Sequence, residues 1–254
     1  NRNFRNEGIS PRHNPEFTMI EAYEAFGSWE TMADLVEEMI CTVAQKLFGT
    51  LIIRHRDTEG TEIQTINLTR PWRRVSMADL VEERTGWKFD QQPLTNARID
   101  ELRAHNHGKD MKLAGTPAEQ LVEVYEKLIE STLIDPCFVT RVPSVIIPLA
   151  RKCQDDPFFA DVYELAINGQ EISPGYSELN DPDVQADNFR HQVGDKDEQQ
   201  QVDEDFLTAL KYGMPPAGGM GLGIDRLVMM LTGAQSIRDV ILFPLMRPEA
   251  GRNE

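Results

Sequence analysis

Arg5, Glu7 and His13 precede a stretch in which Phe17, Met19, Glu21 and Tyr23 recur at every second position. In a strand that spacing sends all four to one face and Thr18, Ile20 and Ala22 to the other. An aromatic ring, a carboxylate and a phenol sharing one face look like a binding site. Near the far end, residues 218–226 (GGMGLGIDR) run four glycines into an Asp225-Arg226 pair that opens an apolar helix. Glycine lets backbone approach a ligand closely, and a helix start favours an anion. Both sets make sense around one molecule of ATP.

A third set lies in residues 158–182 (FFADVYELAINGQEISPGYSELNDP). Asn168-Gly169 between two strand-like runs predicts a type I′ hairpin turn. That register sets Ala166 opposite Glu171 and Glu164 opposite Ser173. Glu164 and Glu171 then share a face as diagonal neighbours, roughly 7–8 Å apart, and can converge on one hard cation. An unbroken strand would place Glu178 on the opposite face from Glu171. Ser173-Pro174-Gly175 predicts a bulge, because proline cannot donate to the ladder, and one bulged residue returns Glu178 to the face of Glu171.

These residues need elements to hold them. Residues 1–6 and 16–26 read as strands, joined by a loop from Glu7 to Pro15 that is broken by Gly8, Pro11, Asn14 and Pro15. Ser28 predicts the cap of a helix whose apolar positions Met32, Leu35, Val36, Met39, Ile40, Val43 and Leu47 follow the roughly 3.6-residue period, and Gly49 stops it. A hairpin is expected around Asp57 to Gly60. Thr116-Pro117-Ala118-Glu119 is a capping box that predicts a helix through about Leu133. Nothing from 51 to 135 looks catalytic. Residues 136–148 predict a short strand and a proline-bounded segment (VPSVIIP) that lines or supports the pocket. Asn180-Asp181-Pro182 predicts a helix cap, Asp203 to Tyr212 a further helix ending at Gly213, and Val240 to Phe243 the last strand. The mixture predicts an α+β fold with an antiparallel sheet backing the site.

With 254 residues the chain can build one large domain, and its length alone also allows two smaller ones. Its net charge of -16 argues against a general nucleic-acid surface. Cys41, Cys137 and Cys153 are far apart and form no CxxC pair, so they read as buried thiols. His105 and His107 have no nearby third ligand and read as a loop. No stretch reads as a signal peptide or a membrane span, which predicts a soluble, cytoplasmic protein with no membrane partner.

FRNEG (4–8), RHNPEFTMIE (12–21), SELND (177–181), GLGIDR (221–226) and SIRDVILFP (236–244) together resemble, in order and spacing, the signature blocks of class II aminoacyl-tRNA synthetases. They are most similar to those of the lysyl-tRNA synthetases, over most of the chain. The resemblance implies a class II synthetase-like antiparallel sheet flanked by helices. Residues 1–254 would be the part of the catalytic domain that runs from the second motif to the third. That sheet is expected to be incomplete at its amino terminus, with an exposed edge prone to association. The first motif, which builds the homodimer interface, and the anticodon-binding OB barrel find no match. A missing tRNA-gripping domain would reconcile the acidic charge with a tRNA partner.

The implied activity is ATP-dependent conversion of L-lysine to lysyl-adenylate, followed by transfer to the 3′ end of tRNA(Lys). The part spanned here is expected to have little activity alone. By the same resemblance, Arg5 bridges the lysine carboxylate and the α-phosphate, Glu7 accepts from the adenine amino group, and Phe17 stacks on adenine. His13 and Asn14 lie in the loop that closes on the phosphates, Gly221 and Gly223 let adenosine sit against the backbone, and Arg226 meets the γ-phosphate. Glu164 and Glu171 hold Mg2+. Glu178 and Tyr23 surround the lysine ε-ammonium, and Glu21 lies near the α-amino group. One departure stands out: Ser173-Pro174-Gly175 replaces a Gly-Asn-Gly that would offer the substrate carboxylate an amide. Two alternatives are a paralogue that aminoacylates a protein such as an elongation factor, and a non-catalytic regulatory paralogue.

Overall fold

The computed structural model describes residues 1–6, 8–56, 59–105, 107–192 and 203–245. The chain opens on β1 (Arg2–Phe4) and β2 (Glu16–Ala25), paired antiparallel with Asn3 opposite Phe17. The helix predicted after Ser28 is α1 (Trp29–Phe48), where the Ser28 N–H donates to Thr31 Oγ1 at 3.1 Å. Gly49, at φ 69, ends it in the left-handed conformation that glycine adopts without steric cost. Its buried seam is Met32, Ala33, Val36, Ile40, Cys41 and Ala44, whereas Leu35 and Leu47, expected on the seam, are exposed. The small Ala33 and Ala44 face the sheet, which turns those two leucines outward.

β3 (Ile52–Arg56) and β4 (Glu62–Asn67) form the predicted hairpin as a separate two-stranded sheet; residues 57 and 58 of its turn lie outside the described residues. β5 (Arg73–Ser76) leads into α2 (Met77–Thr85), α3 (Asn96–Arg103) and α4 (Pro117–Val124). The capping box is present: the Thr116 N–H donates to Glu119 Oε2 at 2.7 Å and the Glu119 N–H to Thr116 Oγ1 at 3.3 Å. Beyond Val124 the helix is no longer regular. It widens into a π-helical turn, Tyr125–Ile129, and tightens into a 3-10 turn, Glu130–Thr132.

The remaining elements are β6 (Cys137–Thr140), β7 (Val162–Ile167), β8 (Gln170–Ser177), α5 (Pro182–Gln192), α6 (Glu204–Lys211), β9 (Ala217–Gly223) and α7 (Ile224–Thr232). Asp181 Oδ1 accepts from the N–H groups of Asp183 and Val184, and Asp203 Oδ1 from that of Phe206, so both predicted caps form. The predicted strand from Val240 to Phe243 does not. Its residues follow a 3-10 turn, Ile237–Asp239, and Leu242 and Phe243 are each 90% exposed. That run has the composition of a strand but pairs with no strand among the described residues.

Seven strands make the main sheet in the order β1-β2-β9-β8-β7-β6-β5. Every pair is antiparallel except β5 with β6, so the sheet expected to be antiparallel is mixed at one end. Strand alternation then divides the core. Phe138, Tyr163, Leu165, Ile167, Ile172, Met220 and Leu222 point to the back face, where they pack with α1, α7 and the β3–β4 hairpin. Cys137, Val139, Val162 and Ala166 point to the front, where residues of α2, α3 and α4 cover them. That front layer covers β5, β6 and β7 and reaches Tyr176 of β8. The front of β1, β2, β9 and the rest of β8 is left open.

β9 is held close to α1 at Gly218, where a Cβ would sit 2.5 Å from the Ser28 carbonyl oxygen and 2.8 Å from its nitrogen. Neither backbone atom can move without shifting the helix cap. Gly218→Ala is therefore expected to cost about 1–3 kcal/mol, as overpacking in a filled interior does. Urea denaturation checks this; an unchanged midpoint would show that the contact is loose.

Candidate active site

The open front face is a trough. Its floor is the row Gly219, Gly221 and Gly223 of β9, since the alternate residues Met220 and Leu222 point into the back core. On one side Tyr23, Glu21 and Met19 of β2 stand directly opposite those three glycines. On the other side β8 presents Glu171, Pro174 and Tyr176, and Glu178 follows. The alternation expected for β2 is thus realised, and the glycines are the reason its side chains meet a channel instead of a neighbouring row.

One end of the trough deepens into a cavity lined by Arg5, His13, Asn14, Phe17, Glu171 and Arg226, among others. The Arg5 guanidinium lies over the Phe17 ring, 5.3 Å from its centroid, within cation–π range. Arg226 is fixed from below. Asp225 Oδ2 accepts from the Thr18 N–H at 2.7 Å, which ties the start of α7 to β2 and places the next residue across the cavity from Phe17. One Arg226 nitrogen donates to the Glu171 carbonyl oxygen at 2.9 Å and approaches its Oε2 at 3.4 Å; the other lies 3.1 Å from His13 Nε2. His13 Nδ1 is in turn 2.8 Å from Ser10 Oγ. Asn14 is buried, and its Nδ2 donates to the Glu16 carbonyl oxygen at 2.6 Å, so it also braces the loop end. Glu7 lies outside the described residues. Arg12, which the signature blocks do not mark as a site residue, lines the cavity as a third guanidinium. Its place beside His13 in a proline-broken loop was the available signal.

The β7–β8 hairpin turns at Asn168 (φ 55) and Gly169 (φ 71), as its sequence predicts. Ala166 faces Glu171, but the bulge falls at Ile172, earlier than expected. Leu165 therefore faces Ser173, and Glu164 faces Pro174 instead of Ser173. Ile172 is 2% exposed in the back core, so burial of this side chain sets where the extra residue is taken up. The consequence for the front face is the one predicted: Glu171, Pro174, Tyr176 and Glu178 share it with Glu164.

The Glu164 carboxyl has no hydrogen-bond or ion-pair partner among the described residues. It is held well above the ordinary range, chiefly by burial and then by the negative charges of Glu171, Glu130 and Glu126. Glu130 and Glu126, from the stretch read as non-catalytic, thus complete an acidic cluster. Among the described residues no three His, Cys, Asp or Glu side chains converge closely enough to enclose an ion by themselves. An unpartnered, partly buried carboxylate beside a second one is nevertheless a donor set for a hard cation that takes its other ligands from phosphate and water. The residues fit magnesium in that sense.

At the other end of the trough stand Glu178, Tyr23 and Glu21. The Tyr23 hydroxyl lies 3.5 Å from Glu21 Oε2. A Cβ on Gly219 would overlap the Glu178 carboxylate and come within 2.9 Å of the Tyr23 ring, so only glycine leaves room for both. Burial pushes Glu178 up to about 7. Burial, followed by the charges of Glu21 and Glu178, also raises Tyr23. These three groups do not line the enclosed cavity; Met19 and Pro174 close over Gly221 between them and it. The VPSVIIP segment does not line it either. Val142 joins the front core, and Val145 and Ile146 are exposed.

Over residues 1–247 the sequence matches the family described as tRNA synthetases class II (D, K and N). Proteins named Lysine--tRNA ligase from Carboxydothermus hydrogenoformans and Syntrophomonas wolfei are each 46% identical to it, over 98% of this chain and 50% of their own length. One from Hahella chejuensis is 44% identical, over 98% of this chain and 51% of its own length. The chain spans about half the length of the curated relatives it matches.

The buried Glu178 carries a consequence for stability. Its folded pKa of about 7 lies above the ordinary 4.5, so the unfolded chain releases this proton first as pH rises. Stability should fall between about pH 4.5 and 7 and level off above that. Glu178→Gln is expected to flatten part of this slope in urea midpoints measured across the window. Equal slopes in the two proteins would remove Glu178 as a cause.

Proposed function

The chain belongs to the class II tRNA synthetases of the D, K and N type, and from that premise we propose that it forms the adenylating site of a lysine–tRNA ligase. The reaction joins L-lysine to ATP as lysyl-adenylate with release of pyrophosphate, and then transfers lysine to the 3′ end of tRNA(Lys). ATP, L-lysine and tRNA(Lys) are its substrates, a second copy of the full-length protein its partner, and the cytoplasm its place. No helix among the described residues is long and apolar enough to cross a membrane.

In the first step one anion attacks another, so charge neutralisation and alignment supply most of the catalysis. Arg5 and Arg226 flank the cavity that would receive the phosphates. Adenine stacks on the Phe17 ring, and ATP binding replaces the guanidinium there, leaving Arg5 to meet the α-phosphate and the lysine carboxylate. Glu7 accepts from the adenine amino group. His13 moves with its loop against Arg226, so that closing of the loop and placement of the arginine are one event. Glu164 and Glu171 would hold magnesium, which would supply further positive charge where the phosphates lie.

Specificity belongs to the opposite end. Glu178 meets the lysine ε-ammonium beside Tyr23, and the ammonium gives a partner to a carboxyl that burial holds above the ordinary range. A neutral side chain would leave that group without a partner. Glu21 takes the α-amino group. Pro174 has no amide to offer the substrate carboxylate, which leaves that contact to Arg5.

The observation that carries this reading is the glycine-floored trough, with two arginines and a ring at one end and Glu178, Tyr23 and Glu21 at the other. Lysine-dependent ATP–pyrophosphate exchange by the full-length protein tests it. Exchange should require lysine and be abolished by Glu171→Ala. In Glu178→Gln, kcat/KM for lysine should fall by about 3 kcal/mol, or over a hundredfold, as when one partner of a buried ion pair is removed. No exchange with lysine would end the proposal.

A further inference from the structure

The irregular end of α4 has a role that its sequence does not advertise. Its π-helical turn buries both Tyr125 and Ile129, 3% and 0% exposed, and swings the next residue, Glu130, to the base of the β7–β8 hairpin tip. An extra residue in a turn rotates everything after it, and such turns recur at functional sites. From there residues 130–134 grip the hairpin at three points. The Asn168 N–H donates to the Ile134 carbonyl oxygen at 2.9 Å and the Gly169 N–H to that of Leu133 at 2.8 Å. The Glu171 N–H donates to Glu130 Oε1 at 3.1 Å.

The first two bonds are made by backbone alone and would form with many sequences. The third depends on one side chain, and it acts on the residue whose carboxylate is paired with Arg226 and shares the front face with Glu164. Glu171 also directly precedes the bulged Ile172, where the ladder is irregular and its backbone has least support from β7.

We propose that Glu130 is a positioning residue: through its hydrogen bond to the Glu171 N–H it fixes the direction of the Glu171 carboxylate toward Arg226 and toward the cation held with Glu164. The proposal rests on the adenylating role assigned above.

Its test uses the full-length protein with ATP and Mn2+, following free Mn2+ by electron paramagnetic resonance. Glu130→Ala should weaken Mn2+ binding by about tenfold or more, the usual effect of losing an outer partner of a metal ligand, whereas Glu130→Gln should return it to within about threefold. Lysine affinity without ATP, measured by calorimetry, should stay unchanged in both variants. Wild-type Mn2+ affinity in Glu130→Ala would overturn the proposal. So would equal weakness of the Gln and Ala variants, failure of the wild type to bind Mn2+ with ATP, or a parallel loss of Mn2+ affinity, lysine affinity and thermal midpoint. Absence of lysine-dependent exchange alongside Glu130-dependent Mn2+ binding would instead end the lysine reading and leave the positioning role in place.

Discussion

The back face of the seven-stranded sheet is packed from β2 to β6, while the front is packed over β5, β6 and β7 and reaches only Tyr176 of β8. A sheet face left without helices must either carry polar groups or keep space that a ligand fills. Here it does both, because the front-facing positions 219, 221 and 223 of β9 are glycine. Glycine in a strand interior weakens the strand, since it has more freedom to lose and nothing to pack. β9 tolerates this because Met220 and Leu222 anchor it in the back core and because it lies between β2 and β8 with both ladders made. The same glycines that would destabilise a free strand turn a flat sheet into a trough.

Once that trough exists, its electrostatics follow from where the backbone delivers charge. α7 begins at the end of β9, so Asp225 and Arg226 arrive at the cavity as a unit, one pinning β2 and the other reaching Glu171 and His13. The hairpin delivers acids to the far wall. Glu164 and Glu178 are both held above the ordinary carboxylate range, first of all by burial. Carboxylates desolvated in this way gain most from a cation, whether a metal ion or a substrate ammonium. The groups that burden the ligand-free protein are thus those that a cationic ligand would stabilise.

Much of this was legible before the structure. The caps at Ser28, Thr116, Asp181 and Asp203, the stop at Gly49 and the Asn168-Gly169 turn are local devices, each completed within a few residues of chain. The face shared by Phe17, Met19, Glu21 and Tyr23 follows from strand geometry alone. Other features were decided by what lies across from them. Leu35 and Leu47 fit the helical period of α1 but miss the seam, because Ala33 and Ala44 set how the helix rests on the sheet. Ile172, and not Ser173-Pro174-Gly175, takes the bulge because a core position awaits it. Val240 to Phe243 has strand composition but pairs with no strand among the described residues. Arg12 and Glu130 carried no spacing signal, since their relevance comes from the loop and the π-helical turn that aim them.

By itself the sequence determined which side chains could do chemistry and how they group: arginines and a ring near the start, glycines and an arginine near the end, acids on one hairpin. Alternation, capping and turn preference are short-range, so they survive without knowledge of the fold. Only the tertiary structure decided that these three groups meet along one trough, that Met19 and Pro174 divide it into two ends, and that Glu130 reaches the backbone of Glu171. Those outcomes depend on contacts between residues far apart in the chain, where packing chooses among arrangements that local rules permit equally.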